Sequence, residues 1–392
     1  MRNKSPRARG CAICNEPMRK NGRTAAGAQR WKCSLCSATF TFKRADLTKA
    51  AIMAAFVGYV LGKQTQNQVD PVASSRSIRR RFAWCWNIEI PQPPVTGEIY
   101  RQIIVDGTYF QGWCLLVAHN GKHVIGWQWC DRENKAAWAA LLERFPAPDV
   151  VVTDGGTGLR AALDLKWKRT RIQRCYFHIF AAVRRHTTLN PRLEAGKEIL
   201  ALTRQLMRVN DLDEAATWMG DYATWEAKWA QFLKERTYPK IGVQRPRWVK
   251  PSQKWWWTHI SLRRVQGLYR HLIRDQSLFT WLNEAYQQDE KSTVARTTSR
   301  LEGGVNAGIK ELLRRHRGMN ENHARTAVEW HLNALTEFPR DPWQTAQKQL
   351  KNPRPAPEPQ VKEKPIGPTE YDTGLSAEEG LWTRKGWAGR SH

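Results

Sequence analysis

The order of strand-like and helix-like segments between residues 99 and 178 constrains the fold of this chain more than any other feature. Three apolar runs come first, at Ile103–Val105, Cys114–Ala118 and Val124–Trp129. Short runs of this kind are typical of strands. The dipeptide Asn120-Gly121 is a strong hairpin signal, so the second and third strands should pair antiparallel.

Helix and strand patterns then alternate. A helical pattern covers Asn134–Phe145, the run Asp149–Thr153 predicts a fourth strand, and a helix follows it through Leu163. A fifth strand is predicted from Ile172, closing at Cys175–His178. Because crossovers between parallel strands are right-handed, the fourth strand should run parallel to the first. We therefore predict an α/β fold with a mixed five-stranded sheet and sites at the carboxyl ends of its strands.

The rest of the chain shows two other residue patterns. From about Ile179 to Val294 the pattern is wholly helical, with Leu and Trp residues among charged ones and no further strand of the sheet. Beyond Glu337 prolines recur among charged residues. Such a segment can bury little, so we predict that residues 338–392 are disordered.

Two aspartates stand where apolar strands are predicted to end. Asp106 and Asp154 are each followed by glycine. On neighbouring parallel strands their carboxylates would lie side by side, which suits Mg²⁺, a cation that takes oxygen ligands. A structural explanation stays open, because Asp-Gly is a common turn dipeptide and Asp154 could cap the next helix.

A third carboxylate, Glu302, lies at the start of the last long helical segment. Ser299-x-x-Glu302 fits a capping box, so Glu302 could have a purely structural role. Gly303 and Gly304 each cost a helix interior about 1 kcal/mol relative to alanine. That cost is easier to explain if backbone or a ligand approaches closely there. Asn306 lies one turn further on, on the same face as Glu302.

The cysteines near the N-terminus form two C-x2-C pairs, Cys11 with Cys14 and Cys33 with Cys36. Four thiolates in this spacing can close a tetrahedral shell around one structural Zn²⁺. The intervening segment has too few apolar residues to fold alone, so the metal would supply its folding energy. Two disulfides or free thiols are the alternative.

Residues 45–90 carry three helical patterns, and Ser74 or Ser75 is a candidate N-cap of the third. The third pattern places Ile78 and Phe82 on one face and four arginines largely on the others, namely Arg76, Arg79, Arg80 and Arg81. Three helices ending in an arginine-bearing one are typical of a helix-turn-helix that contacts DNA. A merely solvated basic face is the alternative.

Charge points to the same kind of partner. Lys+Arg 63 against Asp+Glu 36 gives a formal net charge of +27, which favours a phosphate-rich partner, nucleic acid ahead of an anionic membrane. The longest apolar run, Ala50–Leu61, is too short to span a membrane. The basic N-terminus leads into cysteines rather than an apolar segment, so we expect no secretory signal and a reducing, cytoplasmic location.

Cys175-x-x-His178 follows the predicted fifth strand. Such a pair could bind a metal, form a redox site, or be a buried cysteine beside a hydrogen-bonded histidine.

Taken in order, these motifs resemble the bacterial Mutator-type insertion-sequence transposases, from the cysteine pairs to about Glu337. The resemblance is carried by Asp106-Gly, Asp154-Gly, Cys175-x-x-His178, a long helical segment, Arg300-Leu-Glu302-Gly-Gly-Val-Asn306 and Leu312-Leu-Arg-Arg-His316-Arg-Gly. Ser299 stands where the family would have an asparagine, which puts the local helix-start geometry in question.

The resemblance implies an RNase H-like catalytic core with a catalytic triad of Asp106, Asp154 and Glu302 that holds two Mg²⁺ or Mn²⁺ ions. Cys175, His178 and Asn306 would have accessory roles. The implied domains are a zinc ribbon (1–44), a helix-turn-helix (45–90), the first part of the core (97–178), an all-α insertion (179–296), the core helix bearing the glutamate (297–337) and the disordered tail (338–392).

The implied function is that of a transposase acting on its own insertion sequence. It would bind the terminal inverted repeats, cleave the ends by metal-dependent hydrolysis and join the 3′-hydroxyl to target DNA. Its partners would be double-stranded DNA, both transposon ends and target, and further copies of the chain, at least a dimer on synapsis, in the nucleoid. A catalytically inactive DNA-binding regulator derived from a transposase, or a general nuclease of the same fold, are the rival functions.

Overall fold

A computed structural model describes residues 11–351, except residues 12, 13, 15, 26, 42–44, 71, 72, 111, 241 and 287–292. The chain forms two compact units. Of the described residues, the first unit contains those up to Ile90 together with 315–330 and 340–351, and the second contains those in 91–314 and 331–339. Among the described residues no helix combines the length and the apolar character that crossing a membrane requires.

The first unit begins with a small antiparallel sheet. Among the residues that the structure describes, its buried cluster consists of Cys11, Met18 and Cys33. Burial of so few side chains cannot offset the conformational entropy lost on folding, which is the situation in which small domains rely on a metal. Its strands pair in chain order and are β1 (Met18–Arg23), β2 (Gln29–Cys33) and β3 (Thr39–Thr41).

Three helices follow this sheet. Ser74 is the N-cap of the third, because its hydroxyl accepts a hydrogen bond from the Ser77 amide at 3.3 Å. Phe56 of the first helix meets Phe82 of the third edge-on, with ring centroids 5.5 Å apart, and both are buried. The helices are α1 (Ala45–Leu61), α2 (Gln66–Val69) and α3 (Ser75–Phe82), followed by a 3-10 turn at Cys85–Asn87.

The second unit is built on a mixed five-stranded sheet of order β6-β5-β4-β7-β8. As predicted, β5 and β6 pair antiparallel and β7 runs parallel to β4; β4 also pairs antiparallel with β5. The strands are β4 (Gln102–Phe110), β5 (Trp113–His119), β6 (Val124–Cys130), β7 (Val150–Thr153) and β8 (Arg171–Arg174). Helices α4 (Lys135–Leu142) and α5 (Thr157–Lys166) bury Trp138, Leu141 and Leu159 in one cluster with sheet residues such as Ile103 and Val105.

The fifth strand is shorter than the sequence predicts. It ends at Arg174, paired with Thr153, the last residue of β7. Beyond that point the neighbouring strand has ended, so the backbone turns into α6 (Tyr176–Thr187) with Cys175 as its N-cap residue. His178 therefore lies on the first turn of a helix and not in a strand.

The segment after α6 is mainly helical, around a buried aromatic cluster that includes Trp218, Tyr222 and Tyr269. The expectation of a wholly helical segment is wrong, because two short strands pair antiparallel within it. Arg236 lies over the rings of Trp255 and Trp257 at 4.1 and 5.2 Å, a cation–π contact that stabilises this pairing. The elements are α7 (Glu194–Leu206), α8 (Leu212–Lys228), β9 (Arg236–Thr237), β10 (Trp256–Trp257) and α9 (Ile260–Arg274), with 3-10 turns at Phe232–Lys234, Thr280–Leu282 and Glu284–Tyr286.

The helical segment enters and leaves the sheet at one place. The Arg174 amide donates to the Ser277 carbonyl at 2.8 Å, and the Tyr176 amide donates to the Arg296 carbonyl at 3.0 Å. The Tyr176 hydroxyl also donates to the Leu278 carbonyl at 2.8 Å. These bonds hold the departing and the returning chain together.

The chain ends, as far as it is described, with helical elements. Residues Arg300–Asn306 form a π-helix that continues into α10 (Ala307–Arg315), and α11 (Glu321–Ala334) and α12 (Pro342–Lys351) follow. The predicted disorder from residue 338 is wrong for α12. Asp341 accepts the Gln344 amide at 2.7 Å and Pro342 is the first helical residue, a helix-start signal that the later prolines obscure. Residues 352–392 lie outside the described part of the chain.

Candidate active site and metal centres

Asp106 lies inside a strand, which corrects the expectation that it ends one. It pairs with Val117 of β5, and β4 continues to Phe110. The parallel pairing with β7, however, stops at Ile104. Asp106 therefore stands just past the carboxyl end of that parallel pair, and only 7% of it is exposed.

Asp154 directly follows β7, as predicted. Its Oδ1 atom accepts the Gly156 amide at 3.1 Å and lies 3.3 Å from the Thr153 hydroxyl. The N-cap residue of α5 is Gly156, so Asp154 does not cap that helix. These bonds fix the carboxylate at the end of the strand and leave its Oδ2 atom available to a ligand.

Glu302 lies on the π-helix and takes no part in a capping box. Ser299 has a helical backbone and its side chain makes no capping bond. The Thr298 hydroxyl lies within hydrogen-bond distance of Glu302 Oε1 and, at 3.3 Å, of Cys175 Sγ. Neither Gly303 nor Gly304 has a neighbouring atom within 4 Å of a Cβ position, so no described backbone packs there and these glycines leave an open surface beside Glu302.

Asn306 links the last helix to the first aspartate. Its Nδ2 atom donates to Asp106 Oδ2 at 2.7 Å in a buried position. The Asn306 Oδ1 atom is also buried and has no hydrogen-bond partner among the described residues. A buried carbonyl oxygen without a partner is costly unless a ligand satisfies it.

Cys175 and His178 lie beside Glu302. One ligand atom from each of these three residues lies within 4.8 Å of the other two. His178 Nδ1 is 3.3 Å from Glu302 Oε1 without a well-aligned hydrogen bond. Burial lowers the pKa of His178, but Cys175, Glu302 and Asp154 outweigh it and raise that pKa to about 9. His178 thus brings positive charge to the acids.

Glu133, which the sequence does not single out, completes the acidic cluster. It immediately precedes Asn134, the N-cap of α4. In the sequence it is therefore indistinguishable from an ordinary residue at the start of a helix. Burial, followed by the charge of Asp154, raises the pKa of Glu133 to about 7. No spacing rule would have found it, since its neighbours in space come from other strands.

Among the described residues no three of the acids Asp106, Glu133, Asp154 and Glu302 have carboxylate oxygens that all lie within 4.8 Å of one another. The chemistry of the cluster nevertheless suits a hard divalent cation. Burial, followed by the charges of Asp154 and Glu302, raises the pKa of Asp106 to about 8. Like charges brought together out of water repel, and a bound cation removes that repulsion. The carboxylate oxygens and the unpartnered Asn306 Oδ1 are the ligand type that Mg²⁺ and Mn²⁺ take.

The four N-terminal cysteines converge as predicted and form no disulfide. Their sulfur atoms all lie within 4.8 Å of one another, with Cys14 Sγ 3.4 Å from Cys33 Sγ and Cys11 Sγ 3.6 Å from Cys36 Sγ. Backbone amides, that of Cys36 foremost, lower the pKa of the Cys33 thiol to about 7. This cluster could hold one zinc ion with four thiolate ligands.

The arginines of α3 are all exposed, but they are not equivalent. Arg81 pairs with Asp70 at 2.8 Å, and Arg79 donates to the Ser75 carbonyl at 3.3 Å. On a helix, Arg76, Arg79 and Arg80 fall within about one third of the circumference, and Arg81 lies outside it. The three that share a face are the better candidates for contact with a ligand.

Comparison with known proteins agrees with the resemblance that the motifs suggest. Residues 114–248 match the family model described as Transposase, Mutator family. Over 168 residues the chain is 28% identical to the transposase for insertion sequence element ISRM5 of Rhizobium meliloti (strain 1021), covering 42% of this chain and 37% of that protein. Over 153 residues it is 24% identical to the transposase for insertion sequence element IS905 of Lactococcus lactis subsp. lactis (strain IL1403), covering 34% of this chain and 38% of that protein.

Less than two fifths of each relative is thus spanned by the match. The matched region includes the second aspartate, Cys175 and His178, while Asp106 and Glu302 lie outside the family model's limits. Together, the family model and the relatives confirm the resemblance of this chain to the Mutator-type insertion-sequence transposases.

Proposed function

We propose that this protein is a DNA transposase that cuts phosphodiester bonds at Asp106, Asp154 and Glu302. The observation that carries the proposal is that three acids from separate elements act on one another: burial, followed by the charges of Asp154 and Glu302, raises the pKa of Asp106 to about 8. Repulsion between buried carboxylates destabilises a fold, and clustered carboxylates with shifted pKa values are typical of functional sites.

The three acids, with Asn306 beside them, would hold two Mg²⁺ or Mn²⁺ ions. When bound, these ions supply charge stabilisation for the attacking and leaving oxygens of an in-line displacement at phosphorus. The chain's own residues position the ligands. Asn306 holds Asp106 by a 2.7 Å hydrogen bond, and Thr298 holds Glu302. His178, whose pKa is raised to about 9, places a positive charge beside Glu302, where a phosphate would be attracted.

The reaction we propose has two displacements in one site. Hydrolysis frees a 3′-hydroxyl at the transposon end, and that hydroxyl then attacks a phosphodiester of the target. Both steps need only positioned oxygens and metal ions, so no covalent enzyme intermediate is required. The core would be RNase H-like.

DNA recognition is assigned to the N-terminal region. The Cys11–Cys36 cluster would bind one structural Zn²⁺, and α1–α3 would act as a helix-turn-helix with Arg76, Arg79 and Arg80 towards the terminal inverted repeats. Arg81, predicted with them, is paired with Asp70 and would contribute less. Synapsis of two ends would need at least two copies of the chain, acting in the cytoplasm on the nucleoid.

The second candidate function is a DNA-binding regulator without activity. It predicts binding of the terminal repeats with no cleavage. The presence of all three acids with their supporting hydrogen bonds favours the enzyme, because those bonds would have no purpose in a protein that only binds.

The test is Glu302→Gln, assayed on a labelled duplex of the transposon end with Mg²⁺ or Mn²⁺. We expect cleavage to fall below detection while DNA binding and thermal stability stay close to wild type, since an amide is a poor substitute for an anionic oxygen ligand. Glu311→Gln is the matched control, on the continuing helix and partly exposed, and should cleave normally. A Glu302→Gln protein that cuts at the wild-type rate would remove Glu302 from the site.

A further inference from the structure

The glycine after Asp106 is explained by a side chain that comes from another element. A Cβ atom at Gly107 would lie 2.5 Å from the carboxyl carbon of Glu133 and 3.0 Å from its Oε2 atom. Real Cβ atoms do not approach other atoms so closely. Gly107 lies in mid-strand, where no turn requires a glycine, and the Glu133 carboxylate occupies the place that the side chain of a larger residue would take.

A second glycine, after Asp154, faces the same carboxylate. A Cβ atom at Gly156 would lie 3.8 Å from Asp154 Oδ1 and 4.0 Å from Glu133 Oε2. Both are ordinary van der Waals distances, so the Glu133 carboxylate lies near the residues that follow each of the two aspartates. The backbone of Glu133 is held as well, since its amide donates to the Tyr109 hydroxyl at 3.3 Å.

We infer that Glu133 is a fourth carboxylate ligand of the divalent-metal centre formed by Asp106, Asp154 and Glu302. The inference rests on the proposed function for the identity of that centre. A merely structural glutamate at this position would be expected to pair with a basic side chain. Among the described residues Glu133 has no salt bridge to Lys or Arg; burial and the charge of Asp154 raise its pKa, whereas the charge of His178 and the side chains of Tyr109 and Trp138 lower it.

The experiment compares Mn²⁺ binding to wild type, Glu133→Gln and Asp131→Asn, followed by the rise in melting temperature and by the electron paramagnetic resonance of free Mn²⁺. Asp131 is an exposed acid of the same loop and is the matched control. We expect Glu133→Gln to raise the half-saturating Mn²⁺ concentration by about 10-fold or more. Its melting temperature without Mn²⁺ should equal or exceed that of wild type, because one of several repelling charges is gone.

Equal Mn²⁺ affinity in wild type and Glu133→Gln would overturn the assignment, and so would a loss of metal-free stability, which would mark Glu133 as structural. Failure of the proposed function is visible separately. If wild type binds Mn²⁺ and Glu133→Gln weakens that binding, yet no transposon end is ever cut, the ligand assignment holds and the transposase proposal fails.

A different observation, in the first unit, carries a second proposal. A cleft of about 880 Å³ lies between the end of α1, helix α3 and the segment from Arg315 to His323. None of the described residues lining it is acidic, whereas Lys63, Arg79, Arg315 and Arg317 all line it. Lys63, Arg79 and Arg317 are exposed.

Contacts from Arg315, His316 and His323 hold the lining of this cleft in place. The Arg315 side chain donates to the Gly62 carbonyl, His316 Nε2 lies 3.0 Å from the Val60 carbonyl oxygen, and the His323 ring stacks on Trp86 with centroids 4.3 Å apart. Because these contacts hold the basic side chains at fixed positions, the cleft suits a polyanion with regularly spaced phosphates better than a flexible polyanion.

We propose that this cleft binds the sugar–phosphate backbone of duplex DNA, with Arg317 and Lys63 as phosphate contacts beyond the arginines of α3. The proposal rests on the proposed function only in taking DNA as the partner. Phosphate contacts carry no sequence information, so they should appear with any duplex.

The test measures binding of a fluorescein-labelled duplex of arbitrary sequence over a series of KCl concentrations. Arg317→Ala and Lys63→Ala should each weaken binding and reduce the log–log salt slope by about one. Arg317→Lys should keep the slope, and Lys348→Ala, which removes an exposed charge of the same unit away from the cleft, should leave binding unchanged. An unchanged slope for both Arg317→Ala and Lys63→Ala would overturn the proposal, whatever the outcome of the cleavage assay.

Discussion

The cysteine cluster and the carboxylate cluster are both groups of metal-ligand side chains, but they are assembled in opposite ways. The four cysteines lie between Cys11 and Cys36, beside a sheet whose described part has a very small buried cluster. The acids come from Asp106, Glu133, Asp154 and Glu302, on a sheet with a large apolar core. In the first case the metal would make the fold, whereas in the second the fold exists first and imposes repulsion that a metal relieves.

The largest expected effect concerns the cysteines. Cys33→Ser should abolish zinc binding and unfold residues 11–41, because structural zinc contributes about 10–16 kcal/mol to folding in small modules. Zinc content by native mass spectrometry and proteolysis of the N-terminal segment measure this. Cys130→Ser, outside the cluster, is the control. A Cys33→Ser protein whose N-terminal sheet survives intact would show that the two clusters do not differ in this way.

An intermediate effect is expected from the acids when no divalent cation is present. Burial, with the charges of Asp154 and Glu302, raises the pKa of Asp106 to about 8 in the folded chain. The unfolded chain releases that proton near pH 4, so the free energy of unfolding should fall by on the order of a few kcal/mol as pH rises from about 4 to about 8. Glu133 and His178, whose pKa values are also raised, act in the same direction.

Urea denaturation after dialysis against Mg²⁺-free buffer at several pH values measures this fall. Asp106→Asn should remove much of the fall in the free energy of unfolding with rising pH. Added Mg²⁺ should reduce that fall in the wild type only. Asp149→Asn, an exposed acid before β7, is the control. If the free energy of unfolding of Asp106→Asn changes with pH as steeply as that of the wild type, repulsion between the carboxylates does not destabilise the metal-free protein.

The smallest effect separates two glycines beside Glu133. A Cβ atom at Gly158 would lie 2.6 Å from the Glu133 carbonyl oxygen and 3.2 Å from Asn134 Cα, which are backbone atoms, so Gly158→Ala should cost about 1–3 kcal/mol of stability. At Gly107 the obstacle is only the movable end of a side chain. Gly107→Ala should cost less than about 1 kcal/mol yet weaken Mn²⁺ binding by displacing Glu133. Thermal melts with and without Mn²⁺ distinguish the two, and equal behaviour of both variants would contradict this account.

The same contrast explains what could be predicted from the sequence. The cysteine cluster follows from local spacing, and the parallel partner of the first strand follows from crossover handedness. Asp154 was located correctly at a strand end, whereas Asp106 was not, because the antiparallel pairing with β5 continues past it. The short strands β9 and β10 depend on contacts of Arg236 with two tryptophans, which no periodicity reports.

Glu133 marks the limit of sequence reasoning most clearly. Its neighbour Gly107 belongs to an Asp-Gly motif that is typical of a turn, and only the three-dimensional arrangement shows that the Glu133 carboxylate lies where a Cβ atom of residue 107 would be. Likewise, the pattern Ser299-x-x-Glu302 does not by itself show whether Glu302 belongs to a capping box. The helical backbone of Ser299 excludes that role.

The bonds that join Arg174 to Ser277 and Tyr176 to Arg296 have a consequence for how this architecture can vary. A chain that leaves and returns at one point behaves towards the rest of the protein as a single closed loop, and the entropy of closing a loop grows only with the logarithm of its length. Whole helices could therefore be gained or lost between α6 and α9 without moving Glu302. The two backbone hydrogen bonds, Arg174 to Ser277 and Tyr176 to Arg296, must be kept. They fix the position from which the returning chain continues to the π-helix.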